Sequence, residues 1–296
     1  MEFLANLIRL DVHPGTWARE REAEGWDGVV CSDHYWVPPV GERGTPHVWT
    51  TLATMAAHTE RVLLGPSFAN NLLRSPVEFA HASLTLQRDS GGRAEAALGA
   101  GWMRDELERT GQLFPSPPER ARRFREAVLV ARDLLRHGAA SFHGECYDIE
   151  VPWLGPRPTP PPPLSASLGG PWTIREIAPL VDRVELTIGR ATRHGSVDLP
   201  QLAQVELDDV RSMVAQVRGV NEHVPIGMLA HVAVGNSEPV TERKRALGDG
   251  LFGRFIGDPE MVAEALCSLE DLGITRVQVT ESAPHSLERL APALLG

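Results

Sequence analysis

Short runs of apolar, β-branched residues alternate along the chain with longer segments in which apolar residues recur at helical spacing. The runs that predict strands are Phe3–Ile8, Gly28–Ser32, Val62–Phe68, Ala94–Gly99, Leu164–Leu168, Arg183–Thr187, Ile226–Val234 and Arg276–Thr280. The segments that predict helices are Pro14–Glu24, Val48–Thr59, Val77–Arg88, Pro118–Arg136, Thr173–Leu180, Leu207–Val217, Pro259–Leu272 and Leu287–Leu294. This alternation is typical of βα units around a parallel sheet. About eight such units favour an α/β fold of the (β/α)8 TIM-barrel type, with an open doubly wound sheet as the alternative.

Two stretches interrupt this rhythm. Trp102–Pro117 lies between the fourth strand and its helix, and His137–Pro163 precedes the fifth strand and ends in the proline-rich run Arg157–Pro163. Prolines fix φ and lack an N–H donor, so this run predicts an extended connector that leads into a strand. We therefore expect a single barrel domain over residues 1–296, with insertions after strand 4 and before strand 5.

Composition narrows the possible partners. The chain has 296 residues, of which 39 are acidic and 29 basic, and its net charge of −10 argues against a nucleic-acid or anionic-membrane binder. It lacks a run of about 18 apolar residues, so no membrane-spanning helix is expected. Glu2 precedes any cation, unlike the start of a secretory signal, and the expected location is cytoplasmic. A small molecule in a local pocket is the expected ligand.

In a barrel of this kind the chemistry lies on the loops that follow the strands. The second strand ends in Cys31-Ser-Asp-His-Tyr-Trp36, where His34 can donate a hydrogen bond or relay a proton and Asp33 can orient the loop. A purely structural role for both side chains is the alternative. The third strand ends in Leu64-Gly-Pro-Ser-Phe-Ala-Asn-Asn71, a run in which small and polar residues leave room for a ligand to approach the backbone.

Glycines follow the next two strands. The fourth ends in Gly99-Ala-Gly-Trp102, which removes side chains where a flat ring can lie and adds one large aromatic, although glycines also serve ordinary turns. The fifth ends in Gly169-Gly170 before a helix, where free N–H groups suit a phosphate. If the phosphate site lies elsewhere, Arg122 and Arg123 on the following helix are the next candidates.

Two other barrel chemistries are disfavoured. A retaining glycosidase needs two carboxylates about 5 Å apart at strand ends, and Glu185 and Glu281 form a poor pair for that role. A metallohydrolase needs clustered histidines near a carboxylate, whereas the 11 histidines here are scattered. We therefore expect no metal.

Several short motifs occur in a characteristic order along almost the whole chain. They are Glu24–Gly28 leading into Ser32-Asp-His34, Thr59–Val62, Arg74-Ser-Pro76, Gly99–Trp102, Glu106, Gly111, Glu119-Arg120 through Arg123 and Glu126, and Gly257–Glu260. In this order they resemble the bacterial luciferase-like family of flavin and deazaflavin oxidoreductases. The resemblance implies a barrel that binds FMN or the deazaflavin F420 at its C-terminal mouth. The Ser-Asp-His form is more similar to the F420-dependent branch, so we expect F420, with FMN as the alternative.

The resemblance also assigns roles to residues. His34 would contact the cofactor or stabilise charge during hydride transfer, and a non-prolyl cis peptide would join Ser67 to Phe68. It implies that the cofactor site comprises Asp33, His34, Ser67, Phe68, Ala69, Gly99, Gly101, Gly169 and Gly170, with Gly169 and Gly170 on the phosphate side. A homodimer is expected, together with a reductase that supplies reduced flavin or F420.

One departure from the family concerns the substrate. The sugar-phosphate dehydrogenases of the F420-dependent branch carry an acidic residue where this chain has Trp102, so that activity is in doubt and an aromatic or apolar substrate is favoured. We expect His34 and Trp102 to be the catalytic residues of an F420-dependent oxidoreductase that moves a hydride between deazaflavin C5 and a small organic substrate. The alternatives are an FMN-dependent monooxygenase and a barrel that binds flavin without catalysis.

Overall fold

The structure is a computed structural model and describes residues 1–36 and 44–296. The first half of the described elements is β1 (Glu2–Leu7), α1 (Pro14–Glu24), β2 (Gly28–Cys31), α2 (Val48–Ala56), β3 (Leu63–Pro66), β4 (Ala69–Asn70), α3 (Pro76–Asp89), β5 (Ala96–Gly99), α4 (Arg104–Arg109), α5 (Pro117–His137), β6 (Ala140–His143) and β7 (Asp148–Val151). The second half is β8 (Leu164–Leu168), α6 (Pro171–Ile177), β9 (Arg183–Leu186), α7 (Leu199–Ala203), α8 (Leu207–Val220), β10 (Ile226–Val234), α9 (Glu238–Leu247), α10 (Leu251–Arg254), β11 (Ile256–Gly257), α11 (Pro259–Cys267), β12 (Arg276–Glu281) and α12 (Ser286–Leu295).

The main sheet is parallel and closes into a barrel. Its strands follow the order β3-β2-β1-β12-β10-β9-β8-β5-β4, and β11 pairs with β10. The strands β3 and β4 follow each other along the chain with only Ser67 and Phe68 between them, so the first and last members of this order are joined and the sheet closes. An additional parallel bridge joins Leu64 to Ala94, just before β5. The TIM-barrel prediction is confirmed, and the open-sheet alternative is wrong.

Local sequence signals fix where the helices begin and end. The α1 helix begins at Pro14 after His13, whose Nδ1 accepts the N–H of Thr16, and the chain leaves it at Gly25 with φ of 99°. Ser75 caps α3 in the same way by accepting the N–H of Glu78. These side-chain acceptors satisfy N–H groups that the first helical turn leaves unpaired, and glycine tolerates the left-handed conformation after a helix.

Two predicted segments differ from the structure, and four short helices were not predicted. The continuous strand Val62–Phe68 is interrupted at Ser67-Phe68, where the peptide bond is cis as predicted. The connector His137–Pro163 is not extended throughout, because β6 and β7 form an antiparallel hairpin within it. The Glu126 carboxylate accepts the N–H groups of residues 145, 146 and 147 and so holds the hairpin tip on α5. The helices α4, α7, α9 and α10, of 4 to 10 residues, are not evident from hydrophobic spacing.

Strand pairing shows which side chains face the interior of the barrel. Directly paired residues on neighbouring parallel strands point to the same side of the sheet. Asn6 on β1 pairs with Thr280 on β12, which pairs with His231 on β10, so these three side chains share the interior face near the C-terminal end. Arg276 and Gly227 share it near the N-terminal end. The opposite faces carry apolar residues that pack under the helices, and none of the helices in the described ranges is long and apolar enough to cross a membrane.

Candidate active site

A polar network forms the floor of the C-terminal mouth. The Asn6 side-chain amide donates to Ser32 Oγ at 3.0 Å, to Thr280 Oγ1 at 2.8 Å and to Ser67 Oγ at 3.4 Å. One buried amide thus ties together the C-terminal ends of β1, β2, β3 and β12. The small hydroxyl side chains of Ser32, Ser67 and Thr280 leave space on the C-terminal side of this network. They can also form hydrogen bonds with a polar ring that enters the mouth.

The interior of the barrel is open above this floor. On β10 the residues are fully buried except Leu229 and His231, which both face the interior. Ser167 on β8 is likewise the one partly exposed residue of its strand, and its hydroxyl lies 3.3 Å from the hydroxyl of Thr187. Interior residues on central strands are exposed only if the space in front of them is empty, so the mouth contains a cavity.

Asp33 anchors the loop after β2 to the loop after β4. Its carboxylate accepts two hydrogen bonds from the Arg74 guanidinium, at 3.0 and 3.2 Å, and one from the N–H of Asn70 at 2.9 Å. Asp33 is buried. These contacts use the carboxylate for structure, so Asp33 holds the mouth together and its predicted contact with a cofactor remains a prediction.

His34 is held by a carboxylate that lies 72 residues further along the chain. Its Nδ1 lies 3.0 Å from Glu106 Oε2, and the other oxygen of Glu106 accepts the N–H of Tyr35. Glu106 is fully buried and His34 is 13% exposed at the mouth. A carboxylate can only accept hydrogen bonds, so Nδ1 carries the proton and Nε2 is the nitrogen left for a ligand.

Trp102 lies beside this histidine. The two ring centroids are 5.5 Å apart with an angle of 70° between the ring planes, which is an edge-to-face contact. The structure therefore brings together the two residues that the sequence predicted to be catalytic. Trp36, from the loop after β2, donates its indole N–H to Asp105 on α4 at 3.2 Å, so these two loops contact each other at the rim.

The predicted glycines are explained mainly by contacts within the protein. A Cβ on Gly99 would lie 3.2 Å from Phe68 Cβ, and one on Gly101, where φ is 76°, would lie 2.4 Å from Asn70 Oδ1. A Cβ on Gly169 would lie 2.6 Å from the backbone nitrogen of Gly189. At Gly170 the nearest atom is 3.8 Å away, so only this position opens onto free space. Gly170 also caps α6, and its own N–H donates to Thr173 Oγ1.

The candidate residues after the third strand, and the two arginines considered as an alternative phosphate site, all have contacts within the protein or are buried. Ser67 belongs to the floor network, Phe68 packs against Gly99, and Ala69 begins β4 and is buried. Arg122 is exposed and pairs with Glu145 at 3.4 Å, whereas Arg123 stacks on the Tyr147 ring at 4.9 Å. None of these contacts tests cofactor binding. Within the described ranges, no group of three or more histidine, cysteine, aspartate or glutamate side chains is arranged to hold a metal ion.

Sequence reasoning missed several residues that build the site. Glu106 was noted as part of a motif without a role, and Asn6, Arg74 and Thr280 were not assigned to the site. For Glu106, the place in the ordered set of motifs was the one available sequence signal, because its burial and its contact with His34 depend on the folded chain. Asn6 and Thr280 are polar residues near the ends of two otherwise apolar strands. A polar residue at such a position indicates a side chain that lines the mouth of the barrel.

Comparison with known proteins identifies the family. A model described as luciferase-like monooxygenase matches residues 15–247, so the chain belongs to the luciferase-like monooxygenase family of oxidoreductases. The F420-dependent glucose-6-phosphate dehydrogenase of Intrasporangium calvum is 27% identical over 290 residues, which cover 87% of this chain and 85% of the relative. The protein of the same description from Kineococcus radiotolerans is 35% identical over 158 residues, 52% of this chain and 46% of the relative. The chain spans about half the length of most curated relatives that it matches.

Solved structures show the same fold. An F420-dependent secondary alcohol dehydrogenase in complex with an F420-acetone adduct superposes with a TM-score of 0.77 at 18% identity, covering 99% of both chains. The monooxygenase RslO1 from Streptomyces bottropensis superposes with a TM-score of 0.76 at 20% identity, covering 99% of this chain and 96% of the other. At these sequence identities the similarity establishes the TIM-barrel fold. It does not establish the reaction, which has to be argued from the residues of the site.

Proposed function

We propose that this protein is an F420-dependent oxidoreductase that transfers a hydride between C5 of the deazaflavin and a small organic substrate. The pairing of His34 with the buried Glu106 at an open barrel mouth carries the proposal. The relatives named above support it, because several are named as F420-dependent enzymes. Glucose 6-phosphate is not adopted as the substrate, since this chain has Trp102 where the resemblance calls for an acidic residue.

The residues at the mouth fit a flat heterocycle with carbonyl and N–H groups. Asn6, Ser32, Ser67 and Thr280 present small polar groups on the floor. Asn71, directly after β4, is buried; its side-chain oxygen accepts the hydroxyl of Tyr147 at 3.0 Å, and its side-chain nitrogen has no hydrogen-bond partner among the described residues. An unsatisfied buried donor costs free energy unless a ligand or water pairs with it. When bound, the deazaflavin would supply the carbon that gives or accepts the hydride.

The chemistry available to the protein lies at His34 Nε2. With Nδ1–H directed at Glu106, neutral His34 presents a lone pair at Nε2 and can accept a proton from a substrate hydroxyl. The protonated form can return that proton to a carbonyl oxygen in the reverse direction. Glu106 fixes the orientation of the imidazole through the hydrogen bond to Nδ1, and the edge contact of Trp102 restricts the ring and covers one side of it.

A binding titration followed by turnover assays tests this proposal. Purified protein is titrated with F420 and with FMN, and then assayed anaerobically with each cofactor against aromatic and aliphatic alcohols and ketones. We expect F420 to bind at least about tenfold more tightly than FMN, a difference of about 1.4 kcal/mol, and to change redox state with a substrate. Tighter FMN binding with oxygen consumption would instead indicate a monooxygenase. Binding of either cofactor without turnover would indicate a non-catalytic barrel.

A further inference from the structure

The segment between β5 and α5 carries the residue that holds His34. We call residues 102–116 the strap, which includes α4. Glu106 of the strap contacts His34 Nδ1 at 3.0 Å, and Asp105 accepts the indole N–H of Trp36 at 3.2 Å. These two contacts attach the strap to the loop after β2.

The strap is also attached to the loop after β9. The backbone N–H of Arg104 donates to the carbonyl of Gly195 at 2.9 Å. A Cβ on Gly195, where φ is 94°, would lie 2.5 Å from Arg104 Cβ, so a glycine is needed for this close approach. The strands β2 and β9 lie on opposite sides of the barrel, with β1, β12 and β10 between them in one direction and β3, β4, β5 and β8 in the other. A segment attached to both loops therefore lies across the mouth.

Arg120, at the start of α5, joins the strap to the loop after β9. Its side chain is buried. Its Nη1 donates to the carbonyl of Pro115 in the strap at 3.0 Å, and its Nη2 donates to the carbonyl of Arg193 in the loop at 2.8 Å. Among the described residues no carboxylate pairs with Arg120, so its hydrogen bonds serve to hold these two backbone segments together.

The ring of Phe114 links Arg120 to α4. The guanidinium of Arg120 lies 4.3 Å from the ring centroid, and that of Arg104 lies 4.6 Å from it. Cations over an aromatic face are attracted to it. Because Arg104 begins α4, this contact extends from Arg120 to the helix that carries Glu106.

We propose that Arg120 is a positioning residue for His34, which fixes the strap in the place from which Glu106 orients the imidazole. This inference rests on the proposed function, because it gives Arg120 an effect on the proposed reaction. If Glu106 moved away by about 1 Å, its 3.0 Å contact with Nδ1 would exceed hydrogen-bond distance. The imidazole would then be free to rotate and to carry its proton on either nitrogen.

Three variants and a control test the proposal. Arg120→Met removes the charge and both hydrogen bonds but keeps an unbranched side chain, whereas Arg120→Lys keeps the charge without the planar group that reaches both carbonyls. Phe114→Leu is a milder change that removes only the ring. Arg136→Met, at a 47% exposed side chain on the same helix, is the matched control. Thermal unfolding verifies that each variant is folded.

The first measurement is made on the protein without cofactor. Nitrogen NMR of the His34 imidazole, assigned with the help of His34→Gln, shows which ring nitrogen carries the proton at a pH where the ring is neutral. We expect the Nδ1–H tautomer in the wild type and in Arg136→Met. A mixture of tautomers with faster exchange of the Nδ1 proton is expected in Arg120→Met and Phe114→Leu. Wild-type signals of His34 in both of these variants would overturn the proposal.

The second measurement is single-turnover hydride transfer with F420. Arg120→Met should slow it roughly 10-fold or more, as for misplacement of a catalytic group, while Arg120→Lys retains more of the rate and Arg136→Met all of it. Because Arg120 acts through Glu106, adding Arg120→Met to Glu106→Gln should cause little further loss. An equal loss in the wild-type and Glu106→Gln backgrounds would show an effect independent of Glu106 and would also overturn the proposal.

The two measurements separate this inference from the proposed function. If the wild type transfers no hydride with F420 but the tautomer of His34 depends on Arg120, the F420 reaction is refuted and the positioning role stands. If the wild type transfers hydride and Arg120→Met matches it in rate and in the His34 signals, the positioning role is refuted and the F420 reaction stands.

Discussion

His34 illustrates how far a single residue can be assigned from sequence. Its position after a strand predicted a place at the mouth, and the structure confirms that place and its contact with Trp102. Its orientation depends on Glu106, which is distant along the chain and reaches His34 only because α4 folds back over the mouth. Local sequence patterns do not reveal a pairing over that separation, so the role of Glu106 required the structure.

Removing the imidazole should impair the reaction more than the fold. His34→Ala is expected to lower turnover by roughly 100-fold or more, because a positioned acid–base group is lost. His34→Gln retains hydrogen bonding without titration, so it should bind cofactor better than the Ala variant and lose any pH dependence due to the imidazole. Single-turnover hydride transfer, cofactor affinity and thermal unfolding are measured on the same preparations. Normal hydride transfer in His34→Ala would exclude the catalytic role.

Glu106 should act through His34. Glu106→Gln keeps the size of the side chain and removes the charge, and it should reduce turnover by roughly 10- to 100-fold, as when the group that orients a functional histidine is lost. Glu108→Gln, on the same helix and half-exposed, is the control and should retain turnover. Rates measured across a range of pH distinguish positioning from packing. A lower melting temperature with an unchanged pH–rate profile would show that Glu106 only stabilises the loop.

At the scale of elements, the periodic segments were predictable and the irregular ones were not. Leu164–Leu168, Ile226–Val234 and Pro14–Glu24 match the predicted bounds, because a buried parallel strand and a capped helix each have strong local signals. The β6–β7 hairpin was missed because its strands are short and partly exposed, and because Glu126 on another element holds its tip. The formation of this hairpin depends on a contact between two elements, and the local spacing of apolar residues does not reveal such contacts.

The two glycines after β8 should respond differently to substitution. In Gly169→Ala the new methyl would meet the backbone of Gly189 and the carbonyl of Thr187, at 2.6 and 2.8 Å, which rigid backbone atoms cannot easily relieve. We expect a loss of about 1 to 3 kcal/mol in the free energy of unfolding, whereas Gly170→Ala should change it by less than about 0.5 kcal/mol. Urea denaturation measures both variants. Equal stability of the two would show that the β8 and β9 loops are not in tight contact.

This difference also decides how the predicted phosphate site is tested. A carboxylate at position 169 would disturb the packing between two loops, so any loss of cofactor binding would be ambiguous. Gly170→Glu places the charge where a Cβ meets only Thr173 Oγ1 at 3.8 Å. If the cofactor phosphate binds at the start of α6, this variant should weaken F420 binding by charge repulsion while the barrel stays folded. Unchanged affinity would move the phosphate site elsewhere.

At the scale of the whole molecule, the two ends of the barrel interior have different roles. The C-terminal end is open and lined with small polar groups, whereas the N-terminal end is closed by a buried ionic cluster. Arg276 Nη1 lies 2.7 Å from Glu95 Oε2 and 3.6 Å from Glu185 Oε1, which links β9 and β12 to the residue just before β5 across the interior. Gly227 makes this possible, because a Cβ there would lie 2.3 Å from Glu185 Oε2. This structural role of Glu185 is distinct from the catalytic pairing with Glu281 that its position at a strand end suggests.

Glu185 should make the stability of the barrel depend on pH. Burial, the first of several causes, raises its pKa from 4.5 to about 8, so the folded protein holds a proton that the unfolded chain releases between these values. The stabilisation by protonated Glu185 is complete below the unfolded pKa and is lost as the pH rises through about 8. The free energy of unfolding should therefore fall with rising pH in this window, by at most about 1.4 kcal/mol per pH unit for this group.

The variant Glu185→Gln isolates this contribution, because the amide has nearly the same shape and does not titrate. Urea denaturation at about pH 5.5 and about pH 8.5 should show a smaller loss of stability in the variant than in the wild type, so the variant gains relative stability at the higher pH. Glu222→Gln, whose side chain is 80% exposed, is the control and should follow the wild type. If Glu185→Gln and the wild type lose the same stability between the two pH values, Glu185 is ionised throughout and its pairing with Arg276 outweighs the cost of burial.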